Sequence, residues 1–106
     1  MSKVKITVLK TSVNQDLVDL YVQRPKTVVP CDVLKEGQEF ITDEVSMPAG
    51  FCPWAWDDIY KVVVAYFANG SFDMWGDDDG DTMIACCTDG ERPVYFKLEK
   101  LPAEAG

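Results

Sequence analysis

The chain carries four cysteines, Cys31, Cys52, Cys86 and Cys87, and no histidine. Without imidazole there is no Ser-His-acid or Cys-His catalysis, no imidazole proton shuttle and no histidine-based metal site. Thiols and carboxylates are what remain for chemistry. Four thiols suffice in number for zinc, a rubredoxin-type iron or an iron–sulfur centre, but the spacing contains no C-x-x-C knuckle. Two of the thiols are adjacent in "IACCTDG". On a strand, neighbouring side chains point to opposite faces, so only one of Cys86 and Cys87 is expected to enter the core. The plain alternative is a pair of reduced structural cysteines.

Cys52 immediately precedes Pro53, which suits the first position of a helix. Unpaired backbone N–H groups and the helix dipole favour a thiolate there, whereas the neighbouring Phe51, Trp54 and Trp56 supply an apolar shell that works against it. A Cys87 at a strand end facing Cys52 at a helix start would form a two-thiol redox or soft-metal site. Cys31 is the remaining candidate ligand. Arg92, after Asp89-Gly90, is the basic residue nearest Cys86 and Cys87 in sequence, and it suits a ligand carboxylate or else Asp89 or Glu91. The acidic stretch "FDMWGDDDGD" fails the calcium-loop pattern: with Gly80 as the turn glycine, the first ligand position falls on Trp75 and the closing glutamate position on Cys86. Asp77, Asp78, Asp79 and Asp81 could still hold a hard cation weakly, but adjacent carboxylates in the loop 73–81 are expected to be a solvated cluster.

These residues need elements to position them. Val4, Ile6 and Val8 alternate with Lys3, Lys5 and Thr7, the pattern of a half-buried strand from Lys3 to Lys10. Asn14 is placed to cap a short helix over about 14–22, with Asp16 near its positive end and Leu17, Val18 and Tyr21 on one side. Glu36-Gly37 reads as a turn and Glu39 to Thr42 as a short strand. The clearest helix covers about 54–68, with Asp57 and Asp58 in or near its first turn. Its apolar residues are Trp56, Ile59, Tyr60, Val63, Val64 and Phe67, widened by Val62 and Tyr66, and Asn69-Gly70 is its stop. Thr82 to Cys87 reads as a buried strand, Thr88 to Glu91 as a turn carrying the Asp-Gly hairpin signal, and Pro93 to Lys100 as a strand with Val94, Phe96 and Leu98 inward. The expectation is an α+β domain spanning 1–106, with a flexible tail at 101–106. A mixed or antiparallel sheet of three to five strands is covered by the main helix. Any site should lie where that helix starts, beside Cys87 and the Asp89-Gly90 turn.

Composition bounds the partners. Eighteen acidic and ten basic residues among 106 give a net charge of -8, and no Lys or Arg stripe is present to neutralise phosphates, which argues against nucleic acid and anionic membranes. The first residues alternate rather than form a signal peptide, and no apolar run reaches the roughly 18 residues of a membrane helix. A cytoplasmic protein with reduced thiols is expected. The aromatic set Trp54, Trp56, Tyr60, Tyr66, Phe67, Phe72 and Trp75 exceeds what one helix face needs, which suits an apolar pocket or a homo-oligomer contact.

"EGQEF" at 36–40, "GFCPWAWDDIY" at 50–60 and "ACCTDGERPVYFKLE" at 85–99 together resemble an uncharacterised family of small bacterial and archaeal proteins, frequent in anaerobes and without an established activity. The resemblance implies that Cys52, Trp54, Trp56, Asp58, Tyr60, Cys86, Cys87, Asp89, Gly90, Arg92 and Pro93 are hallmark positions. It makes Trp54, Trp56, Asp58, Tyr60, Asp89 and Arg92 candidates for ligand contact, and habitat in anaerobes fits free thiols or an oxygen-sensitive centre. Three functions are consistent with these readings. The first is a module binding zinc, iron, an iron–sulfur centre or a small ligand through Cys52, Cys86 and Cys87. The second is a thiol-dependent oxidoreductase using Cys52 with Cys86 or Cys87. The third is an interaction subunit that assembles through its aromatic surface.

Overall fold

Strand β1 (Lys3–Thr11) buries Val4, Ile6 and Val8 completely and leaves the alternate residues half-buried, as period-2 patterning requires of a strand with one covered face. The other elements follow in the order α1 (Gln15–Tyr21), β2 (Glu39–Thr42), α2 (Pro53–Phe67), a single 3-10 turn (Asp73–Trp75), β3 (Thr82–Cys86) and β4 (Val94–Leu101). This computed structural model describes residues 3–24, 26–75 and 80–102. The four strands form one sheet in the order β2-β1-β4-β3, with every neighbouring pair antiparallel. The fold is α+β, and its first and last strands are partners at the centre of the sheet.

Helix α2 covers one face. Its Ile59, Val62, Val63 and Tyr66 are buried against Val4, Ile6, Val8, Phe96 and Leu98. Phe51, just before the helix, sets its ring edge-on to Phe40 at 5.1 Å and tilted against Phe96 at 5.5 Å, spacings at which aromatic pairs attract. Cys52 occupies the N-cap and Pro53 the first helical position, as predicted. The helix stops where Asn69 takes a left-handed φ of 62°, a conformation asparagine tolerates. The following Gly70 donates its N–H to Ala65 O at 2.7 Å. A Cβ on Gly70 would sit 2.8 Å from that same oxygen, so the stop needs a glycine.

Several local expectations are corrected. Thr82 to Cys86 is an edge strand rather than a buried one, and Ile84 is 68% exposed. Only its Met83 and Ala85 turn toward the core, because the sheet is covered on one side alone. The buried stripe of α2 is centred on Ala55, Ile59, Val62, Val63 and Tyr66, while Tyr60 and Val64 lie on its exposed flank. Tyr66, read as a margin of the apolar arc, lies at its middle. Asp57 and Asp58 lie just past the first turn of α2, near it as expected, and the first turn itself holds no acidic residue. In α1 only Val18 is buried, and Leu17 and Tyr21 are exposed. Asn14 stands at the N-cap but makes no side-chain capping bond. Leu101 closes β4, so the expected tail does not begin there; residues 103–106 lie outside the described residues, as do Asp77, Asp78 and Asp79 of the acidic cluster.

Candidate functional site

The connection from β3 to β4 brings the chemistry together. The ladder pairs Cys86 with Tyr95 and continues as Cys87 N–H donates to Val94 O at 3.0 Å. The return bond does not go to a carbonyl: Val94 N–H donates to Cys87 Sγ at 3.3 Å. The strands are thus closed by a thiol, and the seven residues from Cys87 to Pro93 form a wider connection than a two-residue hairpin. Strands β3 and β4 pair antiparallel, as the Asp-Gly hairpin signal indicated, and Gly90 is not among the glycines with positive φ. Cys87 points inward and is buried; Cys86 points to the opposite, uncovered face beside Tyr95. One thiol inside and one outside is what strand alternation required.

Three sets of hydrogen bonds hold the connection. From α2, Asp58 Oδ2 accepts Thr88 N–H at 2.7 Å and the Asp58 carboxylate also accepts the Thr88 hydroxyl at 3.0 Å, while Trp54 Nε1–H donates to Thr88 Oγ1 at 3.0 Å. Donor and acceptor roles are consistent along this chain: indole to hydroxyl, hydroxyl to carboxylate. From the other side, Asn14 N–H donates to Glu91 O and the Asn14 side-chain amide to Gly90 O at 2.7 Å. This is what the Asn14 side chain does in place of capping. Within the loop, Asp89 Oδ1 accepts the N–H groups of Glu91 and Arg92, and Asp89 Oδ2 accepts Arg92 Nε–H at 3.3 Å.

Burial acts to raise the Asp89 carboxyl, but the backbone N–H groups of Arg92 and Glu91 and the guanidinium of Arg92 outweigh it and hold the group below its ordinary 3.8. A depressed native value means that the stability Asp89 contributes is present above the unfolded-state value and is lost as pH falls through the native one. Asp89→Asn keeps one oxygen for the backbone donors but removes the charge and the acceptor for Arg92 Nε–H. Its expected penalty is below about 1 kcal/mol, since the pair is more than a third exposed. Urea midpoints of the two proteins should differ at neutral pH and converge as the pH falls below the ordinary carboxylate range.

Cys31 arrives from the segment between α1 and β2. That segment is clamped by Gln15, whose Oε1 accepts Val28 N–H at 2.8 Å and whose Nε2–H donates to Lys26 O at 3.0 Å. It is anchored by Leu34, which is 1% exposed. As a result Cys31, Cys52 and Cys87 line one cleft of about 220 Å³ with Trp54, Asp89 and Arg92 at its polar side. Its remaining wall is aliphatic, including Leu34, Ala55 and Val94. All four cysteines are free thiols.

The structure brings Cys52, Trp54, Cys87, Asp89 and Arg92 to one cleft. Asp58 is there too, as a strut for Thr88 rather than as part of the cleft wall. Cys86, Trp56 and Tyr60 do not line the cleft: Cys86 is on the far face of the sheet, and Trp56 packs edge-on against Phe51 and Tyr60. Thr88 and Cys31 carry more than their sequence signals implied. Thr88 follows a strand and precedes an acidic turn, but nothing local reveals its partner on α2; Cys31 lies in a proline-interrupted loop whose path depends on Gln15. Among the described residues no three Cys, Asp or Glu side chains gather closely enough to hold a metal ion, and no helix is long and apolar enough to cross a membrane.

Fold and cleft together define a small α+β domain with thiols from three separate segments converging on one opening. No known protein family, curated protein or solved structure matches the chain.

Proposed function

We propose that the protein is a thiol-bearing binding module that takes a small, sulfur-seeking ligand in the cleft between the start of α2 and the β3–β4 connection. The supporting observation is the convergence of three free thiols, Cys31, Cys52 and Cys87, on that cleft. Cys31 thereby takes the place that the sequence suggested for Cys86. A volume of about 220 Å³ is below the roughly 300 Å³ at which ligand pockets usually begin. It suits a small metabolite. Thiolates are soft ligands and nucleophiles, so sulfur compounds and soft ions share this chemistry.

A neutral probe, 2-hydroxyethyl disulfide, tests the reading on protein purified without oxygen. Modification of the exposed Cys86 should rise linearly with probe concentration. Modification of Cys52 should saturate, because binding in the cleft precedes exchange. The two are separated by peptide mass spectrometry. Linear kinetics at every thiol of a folded protein would remove the binding reading. Collapse of the mixed disulfide into a Cys52–Cys87 bond would place the protein among thiol oxidoreductases.

A further inference from the structure

The cleft contains one cation and one anion, and the two are not equally available. Asp89 is spent: Oδ1 accepts two backbone N–H groups and Oδ2 accepts Arg92 Nε–H. Arg92 uses Nε alone in that contact, and its two terminal Nη groups have no partner among the described residues. The guanidinium is therefore held by one edge, and Arg92 stands on the border between the thiol cleft and a neighbouring one that includes Lys26. Terminal guanidinium N–H pairs match a carboxylate in a two-pronged geometry. Because Asp89 fixes the group in advance, less side-chain freedom is lost on binding. Around it the cleft offers thiols and aliphatic wall but no second basic residue.

We infer that the ligand of this cleft is a small organic acid carrying a disulfide or comparable soft sulfur group, with its carboxylate held by the Nη groups of Arg92 and its sulfur presented to the cleft thiols. This rests on the binding reading above and names the class of compound. The chemistry balances without an external reagent. The thiolate of Cys52 attacks one sulfur of the acid disulfide, the S–S bond breaks, a Cys52–S bond forms, and the departing thiolate takes up a proton from solvent. One disulfide is consumed and one mixed disulfide made.

The test compares three disulfides of similar size on a Cys86→Ser background, which removes the exposed thiol on the far face: anionic 3,3′-dithiodipropionate, neutral 2-hydroxyethyl disulfide and cationic cystamine. The net charge of -8 disfavours an anion at long range, so a bare thiol on this protein would react faster with cystamine. The expected result is the reverse order. The anionic probe should modify Cys52 roughly threefold to tenfold faster than the neutral one, and the ratio should fall to about one in Arg92→Gln. Arg92→Lys, which keeps the charge and loses the fork, should give an intermediate ratio and also shows that the loop tolerates change at this position. If the three probes follow net charge, with cystamine fastest, the acid inference is overturned while saturable binding of the neutral probe still stands. If no probe shows saturation at Cys52, the binding reading itself falls.

Discussion

Phe96→Ala is expected to lower the free energy of unfolding by about 3–5 kcal/mol. Phe96 is fully buried on β4, paired with Val8 on one side and Ala85 on the other. Its ring also meets Phe51 at 5.5 Å, and that contact joins the sheet to the entry of α2. Alanine would leave a cavity between a hydrogen-bonded sheet and the start of α2, where close packing on both sides lets collapse recover little of the lost contact. A domain of this size has roughly 5–15 kcal/mol in total, so the variant should unfold at a markedly lower urea concentration. Ile84→Ala is the control. Ile84 is 68% exposed on the uncovered face, and its truncation should cost less than about 0.5 kcal/mol. Equal midpoints for the two variants would mean that α2 does not cover the face assigned to it.

That contrast marks how far the sequence could be read. Alternation identified the inward residues of β1 and β4 because central strands have a partner on each side and one covered face, which makes the period visible. It failed at β3 because an apolar run such as "TMIAC" reads the same whether it is buried on both faces or sits at an edge with Ile84 in solvent. Strand order, which decides between the two, is set by long-range pairing that local residue types do not encode. Helix α2 was legible from Pro53 to Asn69-Gly70 because its start and stop are chemical. Its buried stripe was misplaced by the abundance of aromatics, since Tyr60 and Tyr66 are equivalent by composition and differ only in which side faces the sheet.

The site was legible to the same depth. Adjacent cysteines on a strand dictated that one points in and one out, and Pro53 put Cys52 at the helix start; together they located the cleft. Cys31 was not locatable, because its approach depends on Gln15 holding the backbone of Lys26 and Val28 across a loop. Nor could Asn14 be read correctly. Its residue type favours capping its own helix, and the structure uses it to hold Gly90 instead. In both cases a polar side chain that has a good local use is taken by a distant backbone, a choice that depends on the finished fold.

The Asp58–Thr88 contact is the point where the frame of the cleft is most exposed to a single substitution. Asp58→Ala is expected to cost about 1–2 kcal/mol, because it removes the acceptor for both the backbone N–H and the hydroxyl of Thr88 and leaves the Trp54 indole bonded to a hydroxyl that nothing holds. The loss should be local before it is global. The segment from Cys87 to Pro93 is tied to α2 through Thr88, while β3 and β4 keep their own ladder. Cys87 meets the cleft with only a small part of its surface, 7% exposed, so a bulky alkylating reagent reaches it far more readily when this segment opens. When opening and reclosing outpace the reaction, the alkylation rate of a protected thiol follows the open population, and 1–2 kcal/mol corresponds to a factor of about 5–30. Iodoacetamide labelling followed by peptide mass spectrometry should therefore show Cys87 alkylated faster by about that factor, with Cys86 on the far face unchanged. Asp58→Asn, which keeps one oxygen acceptor, should fall between the two. Unchanged protection of Cys87 in a folded Asp58→Ala protein would show that the thiol is held by its own bond from Val94 and the surrounding core alone, and that the helix start does not fix the cleft.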